Sequence, residues 1–159
     1  MRKKLEDKLY AKYPDIFRQK DLTPKDTCMC WGITCGDGWY DIIDRLCSII
    51  KERVRYVNSQ KSKDKQTYLV PYTKVNLKCE AAQVKQKYGG LRFYVDGGDD
   101  FIFGAIRHAE LMSHITCEEC GLPGKPEGRW ISTLCENCRS NRFKKQGEKN
   151  EVDYKKGKR

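Results

Sequence analysis

The sequence predicts an α+β fold, a small antiparallel sheet or hairpin packed by two main helices, followed by a C-terminal four-cysteine module. Three observations carry that expectation. An apolar stripe at three- and four-residue steps runs from Trp39 to Val54, two alternating runs meet at Gly89-Gly90, and two CxxC pairs lie close together near the end of the patterned chain. At 159 residues, 38% of them hydrophobic, the chain has the length of about one domain and apolar side chains for one modest core. The expected division is a globular body over 1–115, a four-cysteine zinc module over 116–140 and a basic, flexible tail over 141–159.

Taken in order, Leu5, Leu9, Tyr13, Ile16 and Phe17 recur at helical spacing, with Pro14 interrupting them, so residues 3–19 read as one or two short helices. The central helix is clearer. Trp39, Ile42, Ile43, Leu46, Cys47, Ile50 and Val54 share one face, and Asp37 or Gly38 stands where an N-cap belongs. Residues 58–67, NSQKSKDKQT, contain no apolar side chain and read as a mobile loop.

Val84, Gln86 and Tyr88 alternate before Gly89-Gly90, and Leu91, Phe93 and Val95 alternate after it. Glycine tolerates the positive φ of a tight turn, so this is a β-hairpin. Asp99-Asp100 then places negative charge where a helix N-terminus favours it, and Phe101, Ala105, Ile106, Ala109, Met112 and Ile115 mark the apolar face of a helix reaching about Ser113.

The cysteine module reads C-x2-C-x14-C-x2-C: Cys117, Cys120, Cys135 and Cys138. Each CxxC bend aims two thiolates at one ion, and two bends complete the tetrahedral sulfur set that zinc favours. Gly121 suits a knuckle needing an unusual backbone angle. With four thiolates the site is closed to water and substrate, which makes one structural Zn²⁺ the expected cofactor. Lys125, Arg129 and Arg139 are near enough in sequence to offset the local negative charge. If residues after Cys135 form a helix the module is a treble clef, and without one it is a zinc ribbon.

Cys28, Cys30 and Cys35 could form a second zinc site with a ligand recruited through space. The C-x-C-x4-C run lacks a matched second pair, however, and free cysteine is commonly a core residue, as expected of Cys47 on its apolar stripe. His108 and His114 precede the module, and His114 is a substitute ligand only if a cysteine fails to reach the metal. No histidine lies between the CxxC pairs, which argues against a metal-dependent nuclease with a histidine base there. Asp96, Asp99 and Asp100 suit a hard cation, but a turn and a helix N-cap explain them. No phosphate loop and no nucleophile with a base is visible, so the chain reads as non-enzymatic.

The formal charge of +10 is uneven. Residues 51–78 carry eight Lys and Arg against Glu52 and Asp64, and residues 139–159 carry nine against Glu148, Glu151 and Asp153, so each stretch nets +6. Such segments suit a polyanion or simply solubility. No apolar run approaches a membrane span, and MRKKLEDKLYAKY lacks the apolar stretch of a signal peptide, so a reducing cytoplasmic setting is expected, with no membrane partner.

With CMCWGITCGDGWYDIID, QVKQKYGGLRFYVDGGDD, AELMSHITCEECGLPG and GRWISTLCENC in view, the chain resembles a family of small uncharacterised proteins of tailed bacteriophages and prophages, over most of residues 8–138. The basic loop and tail fall outside the likeness. The resemblance implies a setting, the infected bacterial cytosol, and no mechanism. Two functions follow as expectations. The first is a phage accessory protein binding nucleic acid or a nucleoprotein through the basic segments, with Tyr68, Tyr72, Trp130 and Phe143 as stacking or core aromatics. The second is a protein-binding inhibitor or adaptor directed at host defence or transcription machinery.

Overall fold

The computed structural model describes residues 1–60, 76–142 and 144 of the chain. It is an α+β fold in which one three-stranded sheet buries a single face beneath helices, and a small two-stranded unit follows. Helix α1 spans Lys3–Lys12 and ends ahead of Pro14, whose ring lacks the donor a continuing helix needs. Short 3-10 turns follow at Arg18–Asp21 and Met29–Trp31, and then a two-residue strand, β1, at Ile33–Thr34.

Asp37 does not cap the central helix. A 3-10 turn at Asp37–Trp39 leads into α2, Tyr40–Gln60, and the Asp37 carboxylate instead accepts from the Arg2 amide at 2.7 Å and pairs with the Arg2 guanidinium. Residues 58–60 of the expected 58–67 loop belong to α2 instead. Asn58 is helical, and its side chain brackets the Leu77 backbone, accepting from its N–H and donating to its carbonyl at 3.0 Å each; residues 61–67 lie outside the described residues.

Strand β2, Cys79–Lys87, pairs antiparallel with β3, Gly90–Gly97, as the alternating pattern requires. The turn sits one residue earlier than Gly89-Gly90 suggests. Lys87 pairs with Gly90, so Tyr88 and Gly89 form the loop, with φ of 51° and 76°, and positive φ at both central residues is the hairpin geometry whose twist matches the strands. Gly90 serves a different purpose, since a Cβ there would lie 2.5 Å from Nε2 of the His114 ring. On the far side of β2, Ile33 and Thr34 pair parallel with Val84 and Lys85, so the sheet is mixed and not purely antiparallel.

Helix α3, Asp100–Ser113, starts as the sequence predicts, with the Asp99 carboxylate accepting from the Ile102 amide at 3.0 Å and a second bond from Arg53 at 2.8 Å. It also shields the β3 edge. The Leu91 and Phe93 amides, which no further strand among the described residues receives, donate to Ser113 Oγ and Glu110 Oε1 at 2.8 and 3.3 Å. Trp39 of the 3-10 turn and Ile43, Leu46 and Ile50 of α2 share one core with Val84, Leu91 and Phe93 of the sheet and Ile102 and Ile106 of α3, with Leu9 and Phe17 closing it. Among the described residues no helix is long and apolar enough to cross a membrane.

Candidate metal centre

After α3 the chain makes a single antiparallel bridge, Thr116 to Pro123, that frames the first CxxC bend. Strands β4, Lys125–Glu127, and β5, Ser132–Leu134, pair antiparallel and deliver the chain to Cys135, and a helix α4 occupies 136–142. Knuckle, hairpin and helix in that order make a treble clef, and the helix is what a ribbon would lack.

Within the knuckle the Gly121 amide turns back to the Cys117 carbonyl at 2.9 Å, and Gly121 holds φ of 79°, as the sequence anticipates. The second pair opens α4, where the Cys138 amide points at Cys135 Sγ from 3.4 Å. The four sulfurs all lie within 4.8 Å of one another, and Cys120 Sγ stands 3.6 Å from Cys135 Sγ. Metal–sulfur bonds of about 2.3 Å in a tetrahedron require sulfurs about 3.8 Å apart, so the cluster has roughly the dimensions of a single-ion site.

The electrostatics point the same way. Burial raises the Cys117 thiol, but N–H groups of Cys135, Cys120 and Glu119 aimed at its sulfur outweigh that and draw it down to about 7. Burial and the adjoining thiols push Cys138 above its ordinary range. Four thiols so close cannot all ionise unless a cation sits among them. A cluster of this kind can hold a metal ion, and among the described residues no other group of three or more Cys, His, Asp or Glu is gathered closely enough to do so.

That finding separates the remaining candidates. Cys28 is exposed, Cys30 Sγ donates to the Thr27 carbonyl at 3.1 Å, and Cys35 is buried, so the three do not converge on a second zinc. Burial pushes Cys35 and Cys79 up to about 12 and raises Cys47 as well, which is the behaviour of core thiols. His114 rests against Gly90 and His108 is exposed on α3. Asp96 receives the Gln19 amide at 2.6 Å, and Asp99 caps α3. Lys125 and Arg139 do not chiefly face the sulfurs, because both pair with Glu127, and Arg139 also donates to the Lys125 carbonyl at 2.9 Å, clamping the β4–β5 hairpin.

The module is seated on the body. Trp39 Nε1 donates to the Thr116 carbonyl at 2.8 Å, the Gly38 amide to the Glu118 carbonyl at 2.7 Å, and the Gly36 amide to the Glu118 carboxylate at 3.0 Å. Gly38 is required by that approach, since a Cβ would strike the Cys117 carbonyl and the Gly121 amide and lie 2.8 Å from the Cys120 amide. At the other end Thr133 Oγ1 donates to the Gly89 carbonyl and Gln86 Nε2 to the Ile131 carbonyl at 3.0 Å. The CGDGW segment therefore serves as a socket for the knuckle, a role the sequence reading did not assign. Two glycines spaced by one residue just ahead of an amphipathic helix were the available signal.

Of the aromatics offered as stacking or core residues, Trp130 is 90% exposed on the β4–β5 loop, and Tyr68, Tyr72 and Phe143 lie outside the described residues. Comparison with protein-family models, with curated proteins and with solved structures finds no match to this chain.

Proposed function

We propose that this chain is a non-enzymatic nucleic-acid-binding protein folded around one structural Zn²⁺ held by Cys117, Cys120, Cys135 and Cys138. An all-thiolate donor set selects soft or borderline cations over hard ones, and zinc is the commonest ion in paired CxxC knuckles. Four protein ligands leave no coordination position for a water or substrate, so the metal's contribution is to hold a segment too small for its own core. The resemblance to tailed-phage and prophage proteins suggests the cytosol of an infected bacterium as the setting.

The observation that carries the nucleic-acid reading is charge. The formal +10 becomes +8 once four thiolates and one Zn²⁺ are counted, and it is concentrated in two stretches of the chain. Cations so clustered bind a phosphate backbone by releasing its counterions, with little regard to sequence. The test is a salt titration of binding to single-stranded and duplex oligonucleotides, for the full chain and for one lacking residues 145–159, a cut placed beyond α4. That segment carries six Lys and Arg against three acidic residues. Its removal should weaken binding and flatten the salt dependence while leaving zinc content and melting midpoint unchanged. Absence of binding at low salt defeats the reading.

One observation favours a protein-binding adaptor as the second reading. Leu111, Met112, Ile115 and Leu122 are exposed at the junction of α3 and the knuckle, and apolar side chains gathered at a junction suit a protein partner. If nucleic acid does not bind, this surface becomes the leading candidate.

A further inference from the structure

The two faces of the β2–β3 hairpin differ. Val84, Leu91 and Phe93 point into the core, whereas Gln83, Lys85, Lys87, Arg92 and Tyr94 belong to the alternate, outer set, with Thr34 of β1 beside them. None of these outer residues is buried, and none is aliphatic. Cross-strand pairing sets Lys85 directly opposite Arg92, an arrangement of like charges that works against the sheet. Arg92 has Glu110 at 3.9 Å, but Lys85 and Lys87 have no carboxylate partner among the described residues. Their ammonium groups stand instead over aromatic rings, Lys85 at 5.7 Å from the centre of Tyr94 and Lys87 at 5.5 Å from that of Tyr88.

Tyr88 is the anomaly. It is the one non-glycine residue with positive φ among the described residues, at a turn position that favours Asn, Asp or Gly. Packing does not offset that strain, since the side chain is 71% exposed. A strained backbone that presents a bare aromatic ring is an observation pointing outward from the fold, to something the ring touches. The acidic residues of the same face lie at the opposite end of the hairpin and are engaged, Glu80 with Arg18 at 3.5 Å and Asp96 with the Gln19 amide. The turn end is thus basic and aromatic. Just beyond it, Ile131 abuts Gly89, bringing the exposed Trp130 and Arg129 to the same end of the molecule.

We propose that the outer face of this hairpin, at its turn end, binds single-stranded nucleic acid, with bases stacked on Tyr94 and Tyr88 and phosphates paired to Lys85 and Lys87. The proposal rests on the nucleic-acid reading above and gives it a built surface separate from the tail. A ring with an ammonium group beside it offers a base its stacking face and the adjoining phosphate its counter-charge. Single strands are the class that fits, because duplex bases are already stacked on one another and a sheet face carrying rings reads bases that are splayed apart. The apolar junction at Leu111 and Ile115 suits a protein, and this face, without an exposed aliphatic side chain, does not.

The experiment titrates full-length, zinc-loaded protein into fluorescein-labelled dT12, rU12 and a 12-base-pair duplex at low salt. Either single strand should bind more tightly than the duplex, and the two arms show whether the ribose hydroxyl contributes. Tyr94→Ala should weaken binding by roughly tenfold. Lys85→Glu with Lys87→Glu should weaken it further and lower the salt slope by about 1.4, while the charge-matched pair Lys8→Glu with Lys25→Glu, on exposed sites elsewhere, leaves it nearly unchanged. Tyr88→Gly is the decisive variant: by relieving the positive φ it should raise the melting midpoint and yet weaken binding severalfold. If the chain binds single strands and the two tyrosine variants bind as wild type, the surface is wrong while the charge-based reading stands. If no probe binds, both fall.

Discussion

The four cysteines of the C-terminal module and the five of the body occupy chemically different regions, although both groups are dense in the sequence. Cys117, Cys120, Cys135 and Cys138 converge because each pair sits on a bend, a glycine-ended knuckle or the first turn of α4, and a hairpin folds one bend back on the other. Cys28, Cys30 and Cys35 are closer together in the chain, yet a 3-10 turn and an extended strand send them to an exposed site, a carbonyl partner and the core. Metal binding depends on backbone that turns at the right places, and linear density of thiols is a weak substitute.

The sharpest way to break this comparison is to remove one ligand. Cys135→Ser should abolish stoichiometric zinc, read by metal analysis of freshly purified protein, and because the knuckle is seated on Gly36, Gly38 and Trp39 it should destabilise the body too, by about 3 kcal/mol or more. An unchanged melting midpoint in the zinc-free variant would show that the two regions fold separately. Next in size is Gly38→Ala, which touches no cysteine side chain. Its Cβ meets backbone of the knuckle, so a cost of about 2 kcal/mol is expected in urea unfolding, with one zinc per chain retained under native conditions.

The body thiols predict a contrasting pattern. Cys47→Ser buries a hydroxyl in an apolar site and should cost about 1–3 kcal/mol without altering zinc content. Cys35 and Cys79 are held from the ordinary 9.0 up to about 12 by burial, so the fold favours their neutral form. The stability this represents is fully present below pH 9 and is lost as pH rises from about 9 towards 12, because the unfolded chain releases protons that the folded chain keeps. Denaturant midpoints measured across that range, in the Cys135→Ser background to remove the metal's own contribution, should fall as pH rises. The smallest effect belongs to Cys28→Ser, within about 0.5 kcal/mol of wild type. In thiol labelling of the zinc-loaded protein, Cys28 should account for the fast phase, and a chelator should expose four more groups.

How much was legible in the sequence depended on how local the cause was. The α2 stripe, the Asp99 cap, the two hairpin strands and the two CxxC bends are each set by residues within a few positions of one another, and each stands where the pattern puts it. Strand β1 was not legible, since two residues carry no periodicity and their pairing with Val84 and Lys85 is fixed by the whole fold. The hairpin turn was misplaced by one residue for a related reason. Both glycines of Gly89-Gly90 are needed, but Gly90 makes room for His114, a demand 24 positions away, and Tyr88 takes the strained place instead. The basic and aromatic outer face was visible in principle, as Lys85 and Lys87 alternate with Val84 and Gln86, but only the register across the turn brings Tyr94 beside Lys85.

The contact between Gly36–Trp39 and Thr116–Glu118 also constrains the order in which the molecule can be built. During synthesis the socket emerges first, and the partner for the Trp39 indole is 77 residues downstream. Until that stretch has left the ribosome, the Trp39 indole N–H lacks its carbonyl partner and the socket lacks the knuckle that covers it. Closing so distant a contact is entropically slow, and an early, isolated N-terminal half should remain loosely packed and prone to chaperone capture. A metal ion, whose candidate ligands are translated well after the socket, would then join late, and its arrival would complete a helix start laid down about 80 positions before them.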